Sequence, residues 1–167
     1  MKTFIIAALT ADGFIGRSAG HTADWTGSED KKVFVRLTKE AGVMVLGART
    51  FATIGRALPG RRNIVYTRHP ESITSEGVET TLEPPSELLT RLEKEGVTAV
   101  AICGGTSIYD LFMQANLVDE LYLTVSPLLF GTGVRLFDVP VDVHLELKES
   151  SPVGTDSVLL HYVVVKG

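Results

Sequence analysis

The sequence carries one cysteine, Cys103, in 167 residues. That excludes an internal disulfide and any zinc site built on several thiolates, and it fits a reducing compartment. Basic charge is also short. Sixteen Lys and Arg stand against 20 Asp and Glu, a net charge of −4, and the pI is near 5.6. No global positive field draws such a chain to nucleic acid or to an anionic membrane, so any anion binding falls to local arginines. Long apolar runs are missing too. The N-terminal run, residues 4–9, follows a single lysine and is too short for a signal-peptide core or a membrane span. The expected location is therefore cytoplasmic. What remains is ordinary for a globular chain, 44% hydrophobic and 22% charged. One domain over residues 1–167 is expected, long enough to bury a core.

The most informative stretch is 43–68, VMVLGARTFATIGRALPGRRNIVYTR. Residues 43–46 read as a buried strand. Gly47 stops it, and a short helical segment over 50–54 follows, ending at Gly55. Strand, glycine and helix N-terminus in that order present unpaired backbone N–H groups to an anion. Arg49 sits at that mouth and can add a charge-assisted bond. A Pro59-Gly60 turn flanked by Arg56, Arg61 and Arg62 comes next, then a second buried strand over 63–67 that ends on Arg68. A plain strand–helix–strand unit with solvated arginines accounts for the same letters.

A similar joint recurs downstream. The apolar run 97–103 delivers Gly104-Gly105-Thr106-Ser107 to a helix whose buried side carries Ile108, Tyr109, Phe112 and Met113. This again makes a phosphate mouth, though an unremarkable strand–helix turn reads the same way. Cys103 here reads as a small buried apolar residue, because no His or Asp is placed to activate it.

The rest of the chain alternates in type. Residues 3–9 form a buried strand running into a two-glycine loop, and the small polar residues 17–24 suit a lid that includes His21, which is given no catalytic role. After Trp25, Thr26 and Glu29 have capping-box spacing, with Ser28 as another possible cap. Val33, Phe34, Leu37 and Ala41 then mark a helical stripe. Asp30, in the first turn, is explained by the helix dipole alone. Beyond residue 69 the spacing predicts a short strand near 78–80, then a helix capped by Ser86 with Leu88, Leu89 and Leu92 buried and closed by Gly96. A strand enters at Glu120, and two antiparallel strands, 143–148 and 157–165, close the chain. Strands separated by helices with an antiparallel close indicate a three-layer αβα protein. Its central sheet is expected to be mostly parallel, with an antiparallel C-terminal edge strand.

Several of these stretches together resemble a known family. Gly47-Ala-Arg-Thr-Phe, Ile54-Gly-Arg and Leu58-Pro-Gly-Arg-Arg-Asn-Ile are similar to the central block of dihydrofolate reductases, as is Ile6-Ala-Ala-Leu with Asp12-Gly and Ile15-Gly16. Trp25, Asp30 and Phe34 reproduce the family's tryptophan, buried acid and phenylalanine, and the likeness runs from Phe4 to about Phe137. The resemblance implies the αβα fold of that family and NADPH as cofactor. It implies catalytic roles for Asp30, chosen over Glu29, with Trp25 and Thr124, the acid binding the pterin and supporting protonation at N5. The implied substrate pocket is Ala8, Asp30, Phe34, Ile54, Leu58, Cys103, Tyr109 and Thr124, with Arg61 receiving the glutamate-tail carboxylate. The implied cofactor surface is Ala8, Ile15, Gly16, Gly47, Arg49, Thr50, Thr67, Arg68, Gly104, Gly105, Thr106, Ser107 and Ile108, the glycine pair being joined by a cis peptide and Arg49 and Arg68 favouring the 2′-phosphate of NADPH. No metal site is implied, nor a partner beyond a small-molecule substrate, dihydrofolate, in a monomer or homodimer.

Two departures stand against this. The loop between Gly16 and Trp25 is longer than in the bacterial enzymes, and Asp24 replaces a proline. The stretches Trp25-Thr-Gly-Ser-Glu-Asp and Val125-Ser-Pro-Leu-Leu-Phe-Gly-Thr-Gly-Val-Arg-Leu-Phe137 look more like the reductase domain of riboflavin biosynthesis, which uses NADPH on a ribosylamino-pyrimidinone phosphate. Arg61 and Asp30 favour the folate reading, since a ribose phosphate needs neither a tail-binding arginine nor an acceptor for an amidine-like edge. A non-catalytic nucleotide-binding module is the remaining alternative.

Overall fold

A computed structural model describes residues 1–19 and 25–167. His21, Asp24 and most of the expected lid lie outside the described residues. The elements in chain order are β1 (Lys2–Thr10), β2 (Phe14–Gly16), α1 (Ser28–Ala41), β3 (Val43–Gly47), α2 (Ala48–Ile54) and β4 (Arg62–Tyr66), followed by a 3-10 turn at Pro70–Ser72. Then come β5 (Val78–Thr81), α3 (Pro85–Lys94), β6 (Ala99–Ile102), α4 (Thr106–Gln114), β7 (Glu120–Ser126), β8 (Val134–Arg135), β9 (His144–Val153) and β10 (Ser157–Val165).

Eight strands make one sheet in the order β5-β4-β3-β6-β1-β7-β10-β9, and β2 pairs separately with β8. The first six of those eight run parallel; β10 is antiparallel to both β7 and β9. This is the expected mostly parallel sheet with antiparallel pairing at its C-terminal edge. Its continuous apolar strands are explained by cover on both faces. On β1, Phe4 and Ile6 pack with Leu37 and Ala41 of α1, whereas Ile5 joins Leu88, Leu92, Ile108 and Phe112 of α3 and α4. On β3, Met44 and Leu46 lie with Phe51 of α2, and Val43 and Val45 face the other way. Two helices per face give three layers.

Four local expectations need correction. The helix after β3 starts at Ala48, not residue 50, because Gly47 itself is the N-cap. The capping box at Thr26 and Glu29 does not form: Gly27 is the N-cap, with no side-chain hydrogen bond, and Glu29 accepts instead from Lys32 Nζ at 2.9 Å. Ser86 caps nothing. Pro84 is the N-cap of α3 and Pro85 its first residue, where a missing N–H costs no hydrogen bond. Finally, β9 extends to Val153, past residue 148. Its second half, Glu149-Ser-Ser-Pro, is paired through backbone alone and mostly exposed, so it has no apolar alternation to read. The register of β9 slips between His161 and Tyr162, leaving Lys148 unpaired. A bulge bearing a lysine guards this edge against further strand addition.

Because the parallel strands point the same way, β1, β3, β4, β6 and β7 all deliver their following loops to one edge of the sheet, where α/β proteins gather ligands. Phe112, fully buried and edge-on to Tyr66 at 6.2 Å, anchors α4 beneath that edge. Phe112→Ala is expected to lower stability by about 3–5 kcal/mol, measured by urea unfolding followed by circular dichroism.

Candidate functional site

The first turn of α1 separates two neighbouring acids. Glu29 is exposed and paired with Lys32, whereas Asp30 turns inward to hydrogen bonds with Thr124 and Thr26. Burial lifts the Asp30 carboxyl above the usual carboxylate range, and the two hydroxyls, Thr124 more than Thr26, pull it back. Thr124 is 2% exposed on β7, in register with Ala8 of β1. A hydroxyl donating to the acid from one strand thus lies beside a small residue on the next. Thr26 escaped the sequence reading because its capping-box spacing gave it another use. Trp25 Nε1 is buried with no hydrogen-bond partner among the described residues.

Beside the acid stands an apolar wall. Phe34, Ile54, Leu58 and Cys103 pack together over Met44, Leu46, Phe51 and Val65. Burial pushes the Cys103 thiol well up, so it is no thiolate nucleophile. Tyr109 is 3% exposed and donates its hydroxyl to the Ile6 carbonyl at 2.8 Å. That hydroxyl is therefore committed to the backbone of β1, two residues before Ala8.

The arginines of the Pro-Gly turn divide sharply. Arg62 is spent on structure, with Nε and Nη2 on Glu79 and Nη1 on Glu95, each at 2.8 Å. Arg61 donates Nη1 to Pro59 O at 2.6 Å, while its buried Nε has no partner among the described residues. Burial lowers its proton affinity, and the electrostatic influence of Cys103 opposes that shift. It remains a cation at any ordinary pH. Asn63, 2% exposed, holds this turn in shape: it accepts from Leu58 N at 2.8 Å and donates to Leu58 O and Arg61 O. Its only sequence signal was a polar residue opening an apolar strand.

The two strand–glycine–helix joints meet. Gly47 N donates to Gly104 O at 2.8 Å, and the Gly104–Gly105 peptide is cis. The site needs its glycines. A Cβ on Gly104, whose φ is +110°, would lie 3.1 Å from the Tyr109 hydroxyl; one on Gly105 would lie 3.2 Å from Thr50 Oγ1. The N-caps of α2 and α4 are Gly47 and Gly105, and neither makes a side-chain cap. Ser107 is exposed in the first turn of α4 and Ile108 is buried beneath it, while Thr106 Oγ1 is engaged by Arg135 O at 2.6 Å. Arg49 opens α2 and Arg68 follows β4, both exposed. Thr67 is buried and its hydroxyl accepts from His69 N at 2.9 Å. Ile15 and Gly16 lie on β2, at the mouth of the same edge. Among the described residues no cluster of His, Cys, Asp or Glu could hold a metal ion, and no helix is long and apolar enough to cross a membrane.

Fold and site together define an α/β protein with a glycine cradle, an apolar wall and a half-buried acid. The chain belongs to the dihydrofolate reductase family, whose model matches residues 2–130. It is 38% identical over 126 residues to dihydrofolate reductase type 3 of Salmonella typhimurium, covering 74% of this chain and 71% of that one. The solved dihydrofolate reductase from Enterococcus faecalis, complexed with NADP(H) and RAB-propyl, superposes with a TM-score of 0.81 and 27% identity, over 99% of this chain and 97% of that one. A putative riboflavin biosynthesis protein from Shewanella sp. PV-4 superposes with a TM-score of 0.82 and 19% identity, over 99% and 100%. At that identity the likeness concerns the fold alone.

Two outcomes test this geometry. Since burial raises the proton affinity of Asp30 in the folded chain, its contribution to stability is full below the ordinary carboxylate range and lost as pH rises through the raised value. Asp30→Asn is therefore expected to raise Tm at neutral pH, with the gain shrinking on acidification. Scanning calorimetry across pH reads it, and a variant that melts lower at neutral pH contradicts it. Asn63→Ala strands three backbone groups and is expected to cost about 1–3 kcal/mol by urea denaturation.

Proposed function

We propose that this chain is a dihydrofolate reductase, transferring hydride from NADPH to C6 of 7,8-dihydrofolate to give tetrahydrofolate. The observation that carries the reading is the pairing of Asp30, held by Thr124 and Thr26 beside an apolar wall, with an Arg61 guanidinium whose buried Nε has no partner among the described residues. A pterin presents an amidine-like edge that suits a carboxylate accepting two parallel hydrogen bonds. Its glutamate tail presents a carboxylate that suits the fork of Arg61. Phe34, Ile54 and Leu58 would receive the ring system and linker between them.

The cradle fits a nicotinamide dinucleotide. Uncapped N-termini at Gly47 and Gly105, and a backbone surface that a Cβ on Gly105 would obstruct, suit a pyrophosphate. Arg49 and Arg68, exposed at its rim, suit the 2′-phosphate of NADPH. The cofactor, when bound, supplies the hydride. The chain's own work is positional and electrostatic. Ala8, having no bulk, lets a planar ring lie against β1. Asp30 holds the N3 and 2-amino edge and, by its negative charge, favours protonation of the substrate at N5. Trp25 Nε1 donates towards an acceptor beside the acid, water or substrate.

The decisive measurement is NADPH consumption by absorbance with dihydrofolate added. A folate-dependent rate that falls by about 10²-fold or more in Asp30→Asn, with partial recovery at low pH where the substrate arrives protonated, supports the proposal. Arg61→Leu is expected to raise the KM for dihydrofolate roughly tenfold to a hundredfold and to leave NADPH binding unchanged. Equal losses for both ligands would remove Arg61 from the substrate site. NADPH binding without dihydrofolate turnover, but with turnover of a ribosylamino-pyrimidinone phosphate, would transfer the site to the riboflavin-type reading whose fold the Shewanella protein shares.

A further inference from the structure

The segment leaving β7, residues 127–138, contributes no residue to the site as described, yet it touches both sides of it. Its first residues alternate sharply in exposure. Leu129 is 75% exposed, whereas Phe130 turns in and is half-buried. One edge of that ring meets Trp25 in a T-shaped contact, with centroids 5.4 Å apart and planes at 71°. The guanidinium of Arg17 lies 4.1 Å from the centre of the same ring. Arg17 directly follows β2 and Trp25 precedes α1, so one side chain joins two residues eight positions apart in sequence. The ring itself is not free to drift. Phe130 N and Gly131 N both donate to the Asp12 carboxylate, at 3.2 and 2.7 Å, and Asp12 also accepts from Thr10 Oγ1 at 2.6 Å. Ala11 N donates to Leu128 O at 2.8 Å. Behind it, a Cβ on Gly133, whose φ is +156°, would clash with Gly16 O, so this segment is laid directly on β2.

We infer that Phe130 is a positioning residue. Gripped between the Arg17 cation and the Trp25 indole, its ring sets where Trp25 stands, and through the adjacent Thr26 and the α1 start it sets the orientation of Asp30. A cation over one part of an aromatic ring and an indole against another fix its tilt, which an aliphatic side chain of similar volume cannot do. Small misplacements of such a constellation are costly in rate. The kinetic side of this inference rests on the proposed reductase activity; the positional side does not.

Trp25 is the sole tryptophan of the chain, so intrinsic fluorescence reports on that position alone. The test compares Phe130→Leu, which keeps apolar volume and the fold, with Phe130→Tyr, which keeps the ring. Phe130→Leu is expected to shift Trp25 emission to the red and increase its quenching by acrylamide. It should also lower kcat/KM for dihydrofolate on the order of tenfold with the NADPH dissociation constant unchanged. Phe130→Tyr is expected to keep all of these near the parent values. A Leu variant with parent-like Trp25 emission overturns the inference, as does a Tyr variant that loses as much as Leu. If the parent chain shows no dihydrofolate turnover, the functional reading fails on its own, and the emission of the two variants still decides the role of Phe130.

Discussion

A carboxyl group partly withdrawn from water is the constraint around which this structure is arranged. Moving an ionised acid into an apolar setting is unfavourable unless hydrogen bonds replace its hydration. Asp30 receives two, from Thr124 and Thr26, and still stays above the ordinary carboxylate range. The donors come from separate places, β7 and the turn before α1. The acid can sit where it does only if β7 lies in register beside β1 and α1 packs across β1 on that face. Elements distant in sequence are thereby tied to one proton-binding group. The fold carries a residue that would be more comfortable elsewhere, and such a residue is more often kept for chemistry than for stability.

The same division between structural and available groups runs through the basic residues. Arg62 and Arg91 are consumed by Glu79, Glu83 and Glu95 in a surface network, whose exposed pairs contribute little each. Arg61, next to Arg62 in sequence, sits on the other side of the chain with a buried Nε that no described residue satisfies. Asn63 decides this. By binding both ends of the 58–61 turn from a fully enclosed position, it fixes which way the adjacent arginines point. The glycine pair acts alike on the cofactor side, since close approach of β3 and β6 through Gly47 and Gly104 leaves backbone as the lining surface.

How much of this could be read in advance depended on whether a feature has a local signature. The apolar runs of β1, β3 and β6 announced a sheet covered on both faces, and Leu37 and Ala41 of α1, Leu88, Leu89 and Leu92 of α3, and Ile108, Tyr109 and Phe112 of α4 are buried as their spacing predicts, whereas Val33, Phe34 and Met113 are half-buried. The acid, the arginine and the glycines stood out because their spacing resembled a family pattern. Residues whose purpose lies across the fold stayed hidden. Thr26 and Ser86 carry side chains that often cap helices, yet glycine and proline took those positions because backbone conformation alone suffices for an N-cap. Residues 149–152 of β9 are paired with β10 and mostly exposed, so no buried face imposes alternation on them. Tyr109 gave no sign in the sequence of the bond its hydroxyl makes to Ile6 O, a partner 103 residues away.

Phe130 belongs to this hidden class. Nothing in Pro127-Leu-Leu-Phe-Gly marks one of its three apolar side chains as different, and Leu129 is the more exposed of its neighbours. Its meaning comes from where β7 ends. The strand that supplies Thr124 to the acid turns at Ser126 and comes back over β2, so the segment after it inevitably crosses the site's entrance. A chain crossing there can either cover the opening loosely or be anchored. Asp12 anchors it through two backbone N–H groups, and once the backbone is fixed, one inward side chain suffices to tie the residues on either side. The strand that holds the proton-binding group and the ring that aligns its tryptophan neighbour are thus consecutive stretches of one chain. A distortion of β7 would be felt at Asp30 from both directions, through Thr124 directly and through Phe130 and Trp25.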